Sequence, residues 1–205
     1  MPTPEDITRH HDQGEVVYVG AHPTSYTLRI VEPDPVWAQR YAVLAADVLA
    51  ALGDQALDIQ HVGSTAVPGL PAKPIIDIDL TVPDPIDEAA YISRLEGLGY
   101  VHWLTEPDWH QHRLLKQIDE PRVHLHVFGP DCPEVVRHRM FRDWLIAHPE
   151  DRDRYAAAKR LAASQMVASG DDHGALGFGM RYNRIKEPVV HKIYERMFRA
   201  AGLRD

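Results

Sequence analysis

From Ile76 to Val82 the chain alternates apolar and polar residues, with Ile76, Ile78, Leu80 and Val82 on one side and Asp77, Asp79 and Thr81 on the other. A period of two marks a strand with one buried face, here spanning Ile75 to Val82. Upstream the period is helical. Between Pro35 and Leu52 the residues Trp37, Tyr41, Leu44, Val48 and Leu52 recur every three or four positions and Gly53 follows as a stop, which predicts an amphipathic helix. A strand near Asp58 to Val62, a Gly-Ser turn and a connection bearing Pro68, Pro71 and Pro74 lie between these two elements. A second helix is expected from about Ile86 to Leu98, capped by Asp84 or Asp87 and broken by Gly97 and Gly99. Three short strands follow, at Tyr100 to Leu104, His112 to Gln117 and Arg122 to Phe128, the last two joined by a tight turn at Asp119, Glu120 and Pro121.

Beyond Cys132 the strand period disappears. Val136, Met140, Phe141, Trp144 and Leu145 form one apolar stripe that ends at His148-Pro149. A helix from about Asp151 to Ala168, the glycine-rich loop SGDDHGALGFG and a last helix from about Met180, with Ile185, Val189, Ile193 and Met197 at intervals of four, complete the chain. At the other end, residues 1–24 are polar and without period, which predicts an irregular arm resting on the domain, and Tyr26 to Val31 suits a short edge strand. The expected class is α+β. One domain covers 1–205, with the arm at 1–24, a sheet core flanked by helices at 25–130 and a helical part at 131–205.

Composition narrows the functions this frame can carry. A net charge of −8 disfavours a broad nucleic-acid footprint. Cys132 is the only cysteine, so neither an internal disulfide nor a thiolate zinc cluster is available, in keeping with a reducing cytoplasm. It precedes a proline at a helix start with no base near it in sequence, and is expected to be inert. The N-terminal segment has no apolar signal region and no run of about 18 apolar residues occurs, so neither secretion nor membrane spanning is expected. No G-x-x-x-x-G-K-[ST] phosphate loop occurs, and the glycines of GALGFG follow a helix where a dinucleotide fingerprint requires a strand.

Chemistry concentrates in HVGSTAVPGLPAKPIIDIDL, residues 61–80. On one strand face Asp77 and Asp79 stand about 7 Å apart, and such a pair repels itself unless a cation intervenes. A divalent ion answers that repulsion. A solvent-facing sheet alternates in the same way with no ion, so the pair alone leaves both readings open. The turn at Gly63, Ser64 and Thr65 adds backbone N–H groups and two hydroxyls suited to phosphate oxygens. On the strand Arg122 to Phe128, His124 and His126 share the polar face, either as ligands or as solvent-facing residues. His61, beside the turn, reads as a structural hydrogen-bonding residue. Lys73 either reaches a triphosphate or is merely solvated, and Arg113 either binds phosphate or pairs with Glu106 or Asp108.

The Gly-Ser turn, twelve intervening residues and Asp-x-Asp resemble the arrangement in nucleotidyltransferases of the DNA polymerase beta superfamily. The whole string resembles the signature of one branch, the GrpB family, also called UPF0157. The resemblance extends through EPDPVWAQRYA, RVHLHVF, YAAAKRLA and MRYNRIKEPVV, and so over most of the chain. It implies a minimal nucleotidyltransferase core with a mixed sheet and a helical C-terminal part. It further implies that Gly63, Ser64 and Thr65 bind the triphosphate, that Asp77 and Asp79 hold divalent metal, Mg or Mn, and that a third carboxylate completes the site. No third carboxylate is evident here. His126, with His124 beside it, takes that place, and imidazole admits Zn, Fe or Ni as well. Tyr182 and Lys186 match positions in the family's C-terminal helix and share a face, where they line the substrate cleft or, for Tyr182, pack in the core. The leading expectation is transfer of a nucleotidyl group from a nucleoside triphosphate to a small-molecule acceptor, with Asp77, Asp79 and His126 as catalytic residues. The alternatives are a non-catalytic nucleotide- or coenzyme-binding module, and a transition-metal Asp/His enzyme that does not use nucleotides.

Overall fold

The computed structural model describes residues 1–9, 14–20, 28–170 and 178–204, except for the side chains of 178–180. Six strands form one mixed sheet in the order β1-β4-β5-β6-β3-β2. They are β1 (Val17–Tyr18), β2 (Asp58–Val62), β3 (Ile75–Thr81), β4 (Val101–Glu106), β5 (His112–Gln117) and β6 (Arg122–Phe128). All neighbours run antiparallel except β3 and β6 at the centre, which are parallel with Asp77 beside His124 and Asp79 beside His126.

The alternation in β3 and β6 decides the two faces. Ile76, Ile78, Leu80, Val123, Leu125, Val127 and Leu115 are buried together against α2 (Val36–Leu52) and α3 (Ile92–Glu96). Trp37, Val48, Leu52, Tyr91 and Leu95 supply the helical half of that core. Burying apolar surface at roughly 25 cal/mol per Å² fixes the register, because a slip of one residue would turn both aspartates into this core. The opposite face carries the acidic and imidazole side chains. Over it lies α4 (Pro133–Ala147), tied to β2 by Arg139 to Asp58 at 3.2 Å and by Arg142 to the His61 carbonyl at 2.9 Å.

Behind α4, helices α5 (Pro149–Ala168) and α6 (Phe178–Ala200) build further small cores, two of which include α4 residues. Asp151 locks all three. Its carboxylate accepts from Trp144 of α4, from Arg154 of its own helix and from Arg196 of α6. The Met180 start expected for the last helix lies two residues inside its observed start, and most of the preceding glycine-rich loop lies outside the described residues.

Three expectations change. The arm is not irregular throughout, because Thr3 and Asp6 cap each other to form α1 (Pro4–Thr8) and Val17–Tyr18 pairs with β4. Arg137 of α4 donates to the Ile7 carbonyl at 2.8 Å, which holds the end of that helix on the domain. The second helix is shorter than Ile86 to Leu98, since Ile86 is exposed and a 3-10 turn at Glu88–Ala90 precedes α3. Within the expected Tyr26 to Val31 strand, residues 26 and 27 lie outside the described residues, and Val31 forms only an isolated bridge to Ala72.

Candidate functional site

The site grows from the turn that leaves β2. Gly63 has φ of 67°, a conformation that side chains disfavour, and a Cβ there would stand 2.9 Å from Asp77 Cβ and closer still to its carboxylate. Glycine therefore lets the turn press directly onto Asp77. Thr65 is buried, and its hydroxyl donates to the Ile75 carbonyl at 3.0 Å while lying 3.0 Å from His61 Nε2. With the hydroxyl proton on Ile75, Nε2 of His61 carries the donor proton. The Thr65 hydroxyl thus ties the turn to β3 instead of facing a phosphate. Ser64 is half-buried, and its hydroxyl has no partner among the described residues. His61 stacks on Tyr41 at 4.7 Å, and burial pushes its pKa down to about 4, which fits the structural role read from its position.

Asp77, His124 and His126 form a group whose ligand atoms lie within 4.8 Å of one another. His124 Nδ1 is 3.2 Å from Asp77 Oδ1. Burial raises the Asp77 pKa, but the hydrogen bond and charge of His124, aided by His126 and His61, outweigh it and hold the carboxyl below its ordinary value. Asp79 is placed differently. Its Oδ2 meets His138 Nδ1 of α4 at 2.9 Å, while its Oδ1 is buried with no hydrogen-bond partner among the described residues. Burial opposes charge on His138, yet Asp79 and then Glu134 raise its pKa to about 9, so the pair is ionic at neutral pH. The two strand carboxylates therefore serve different partners. Asp77 stands with the imidazoles, and Asp79 anchors α4.

His126 is oriented by His112, which no local sequence pattern marks. Its Nδ1 is 3.0 Å from Nε2 of His112, whose Nδ1 is 2.7 Å from a Glu106 oxygen. Burial pushes both histidines to a pKa of about 3, so both rings are neutral, and burial raises Glu106 as well. With His112 donating to Glu106, its Nε2 must accept from His126. That order leaves the Nε2 lone pair of His126 free, as a metal ligand requires. Phe128 and Trp109 clamp the His112 ring at 4.8 Å each.

Arg113 does not belong to this site. His112, Leu114 and Lys116 share the face of His126, so the alternation of β5 turns Arg113 to the other side, where it pairs with Glu88 at 2.9 Å. Neither phosphate nor the Glu106 or Asp108 partner fits that placement. Lys73, Tyr182 and Lys186 do come together. Lys73 Nζ lies 4.1 Å from the Tyr182 ring centre and Lys186 Nζ 5.3 Å from it. Tyr182 is buried, as the packing alternative required, and its ring also faces these two ammonium groups. Cys132 is buried, which pushes its pKa up to about 11 and accords with an inert thiol.

The family model described as GrpB protein matches residues 27–196. The chain belongs to the GrpB family. A UPF0157 protein of Halalkalibacterium halodurans is 44% identical over 80% of this chain and 86% of its own length. The crystal structure of GrpB from Enterococcus faecalis matches with a TM-score of 0.71 and 26% identity, covering 84% of this chain and 99% of that one. A dephospho-CoA kinase of Mycolicibacterium paratuberculosis is 32% identical over 82% of this chain, which spans only 46% of that protein. This GrpB member thus has the α+β fold of its solved relative, and none of its helices among the described residues is long and apolar enough to cross a membrane.

Proposed function

We propose that this GrpB protein transfers a nucleotidyl group from a nucleoside triphosphate to a small-molecule acceptor, with a divalent metal as cofactor. The observation that carries the reading is the direct seating of the Gly63 turn on Asp77, beside two imidazole ligand positions. The residues fit an ion on chemical grounds, one carboxylate and two imidazoles whose ligand atoms lie within 4.8 Å of one another. Asp77, His124 and His126 would hold it. A bound ion there would supply Lewis-acid polarisation of a phosphate oxygen and lower the pKa of the acceptor's hydroxyl or amine.

The chain's own residues do the positioning. Gly63 and Ser64 offer the turn's backbone and one hydroxyl to the phosphates that leave, and Lys73 and Lys186 offer positive charge near them. Asp79 and His138 hold α4 over the site, and His112 keeps the His126 ring in one orientation. In-line attack at the α phosphorus would join it to the acceptor atom, break the bond to the oxygen bridging to the β-phosphate and release pyrophosphate, with the acceptor's proton passing to water. A pyrophosphate-release assay with the four nucleoside triphosphates, Mg2+ or Mn2+ and a panel of alcohols, amines and sugar phosphates tests this. Turnover that disappears in Asp77→Asn is expected, and full turnover in that variant rules the reading out.

A second reading is favoured by the donor set itself. Two imidazoles and one carboxylate suit Zn, Fe or Mn better than Mg, so the same pocket could serve a transition-metal enzyme that does not use nucleotides. Metal analysis of purified protein separates the two. Stoichiometric, tightly held Zn or Fe with no response to any triphosphate supports the second.

A further inference from the structure

Lys159 lies on the buried side of α5, only 2% exposed, and its ammonium nitrogen has no hydrogen-bond partner among the described residues. An unpaired buried ammonium costs several kcal/mol, so ordinary packing does not explain it. Its surroundings add more positive charge. Lys159 Nζ lies 5.1 Å from the Tyr155 ring centre, Lys186 Nζ lies 5.5 Å from the same ring and 3.2 Å from the Tyr155 hydroxyl, and Lys73 and Lys186 both face Tyr182.

Two tyrosine faces thus hold three ammonium groups in one cluster. Aromatic faces steady cations without neutralising them. Neither Lys159 nor Lys186 forms an ion pair with a described carboxylate, and the negative charge felt by Lys73 and Lys159 is Asp77. Burial, and then the charge of Lys186, lowers the pKa of Lys73 to about 8 and that of Lys159 well below the usual lysine value. Within a chain of net charge −8, this is a local excess of cation in a desolvated place next to the metal-holding residues.

We infer that Lys73, Lys159 and Lys186 form a binding site for the oxyanions of a polyphosphate, and that this site binds its ligand without metal. The inference deepens the proposed function, on which its place in catalysis rests, by naming which residues take the phosphates that are not attacked. Lys159 supplies the innermost donor, and the Tyr155 hydroxyl holds Lys186 in place beside it.

The test uses sodium tripolyphosphate in metal-stripped buffer, read by calorimetry, with the whole chain as wild type, Lys159→Met, Lys186→Met and Asp77→Asn. Methionine matches the lysine stem without its charge, so Lys159→Met should keep or raise the unliganded melting temperature. Wild type is expected to bind, both lysine variants to bind at least tenfold more weakly, and Asp77→Asn to bind as tightly or more tightly, because an anion has been removed. Should Lys159→Met fail to fold, Lys186→Met and Lys159→Gln carry the comparison. Absence of tripolyphosphate binding to wild type, or affinity within twofold of wild type in the folded lysine variants, overturns the inference. Because metal plays no part, failure of nucleotidyl transfer leaves this result intact, and Asp77→Asn separates the two.

Discussion

Replacing His112 by phenylalanine keeps a ring between Trp109 and Phe128 but removes both of its hydrogen bonds, the 2.7 Å contact to Glu106 and the 3.0 Å contact to His126. His126 then loses the acceptor that fixes its Nδ1 proton, and its ring is free to present either nitrogen. Outer residues of this kind typically contribute 10- to 100-fold to metal affinity, or about 1.4–2.7 kcal/mol. The structure argues for the upper part of that range. His112 is 2% exposed, so water cannot replace the lost acceptor easily. Glu106 would also be left half-buried without its donor, so a loss of stability of about 1–3 kcal/mol is expected alongside. Competition between the protein and a chromophoric chelator for Zn2+ or Mn2+ measures the affinity, with circular dichroism as the check on folding. A folded His112→Phe protein that binds either ion within twofold of wild type would refute the orienting role.

Gly63→Ala places a methyl group against Asp77 at a φ of 67°, so it should cost on the order of 1–3 kcal/mol by urea denaturation and weaken metal binding together with it. A loss of neither would mean the turn does not rest on Asp77. Asp151 gives a pH prediction. Although burial opposes its charge, hydrogen bonds from Arg196, Trp144 and Arg154 lower its pKa from 3.8 to about 2, so it contributes about 2 kcal/mol that is present above pH 4 and lost as the pH falls towards 2. Urea midpoints of wild type should fall over that window, and Asp151→Asn should lack this part of the fall while being less stable at pH 7.

The alternation in β3 and β6 made the central sheet legible, because one buried and one polar face leave few registers open. The same rule explains what was missed. In β5, parity puts His112 and Lys116 on one side and Arg113 on the other, but only pairing with β6 says which side holds the site. By residue type Arg113 is open to phosphate or to a surface ion pair, and nothing local marks the histidine beside it as buried. His138 reaches Asp79 from a helix 59 residues away, which no local pattern encodes. Lys159 did leave a signal. Tyr155, Lys159, Ala162 and Met166 recur at helical spacing and all four are buried, so a lysine stood on an apolar stripe where a hydrophobic residue was expected. Thr3 and Asp6 likewise spelled a capping box inside a segment read as irregular.

The proposed function requires that Asp77, His124 and His126 hold a divalent ion that works together with a bound triphosphate. Equilibrium dialysis with Mn2+, with and without a nucleoside triphosphate, measures this directly against a control for the ion bound by free nucleotide. About one protein-bound ion per chain is expected, held at least tenfold more tightly when the triphosphate is present, and lost in Asp77→Asn. Manganese binding that is indifferent to the triphosphate, or that survives unchanged in Asp77→Asn, would contradict it.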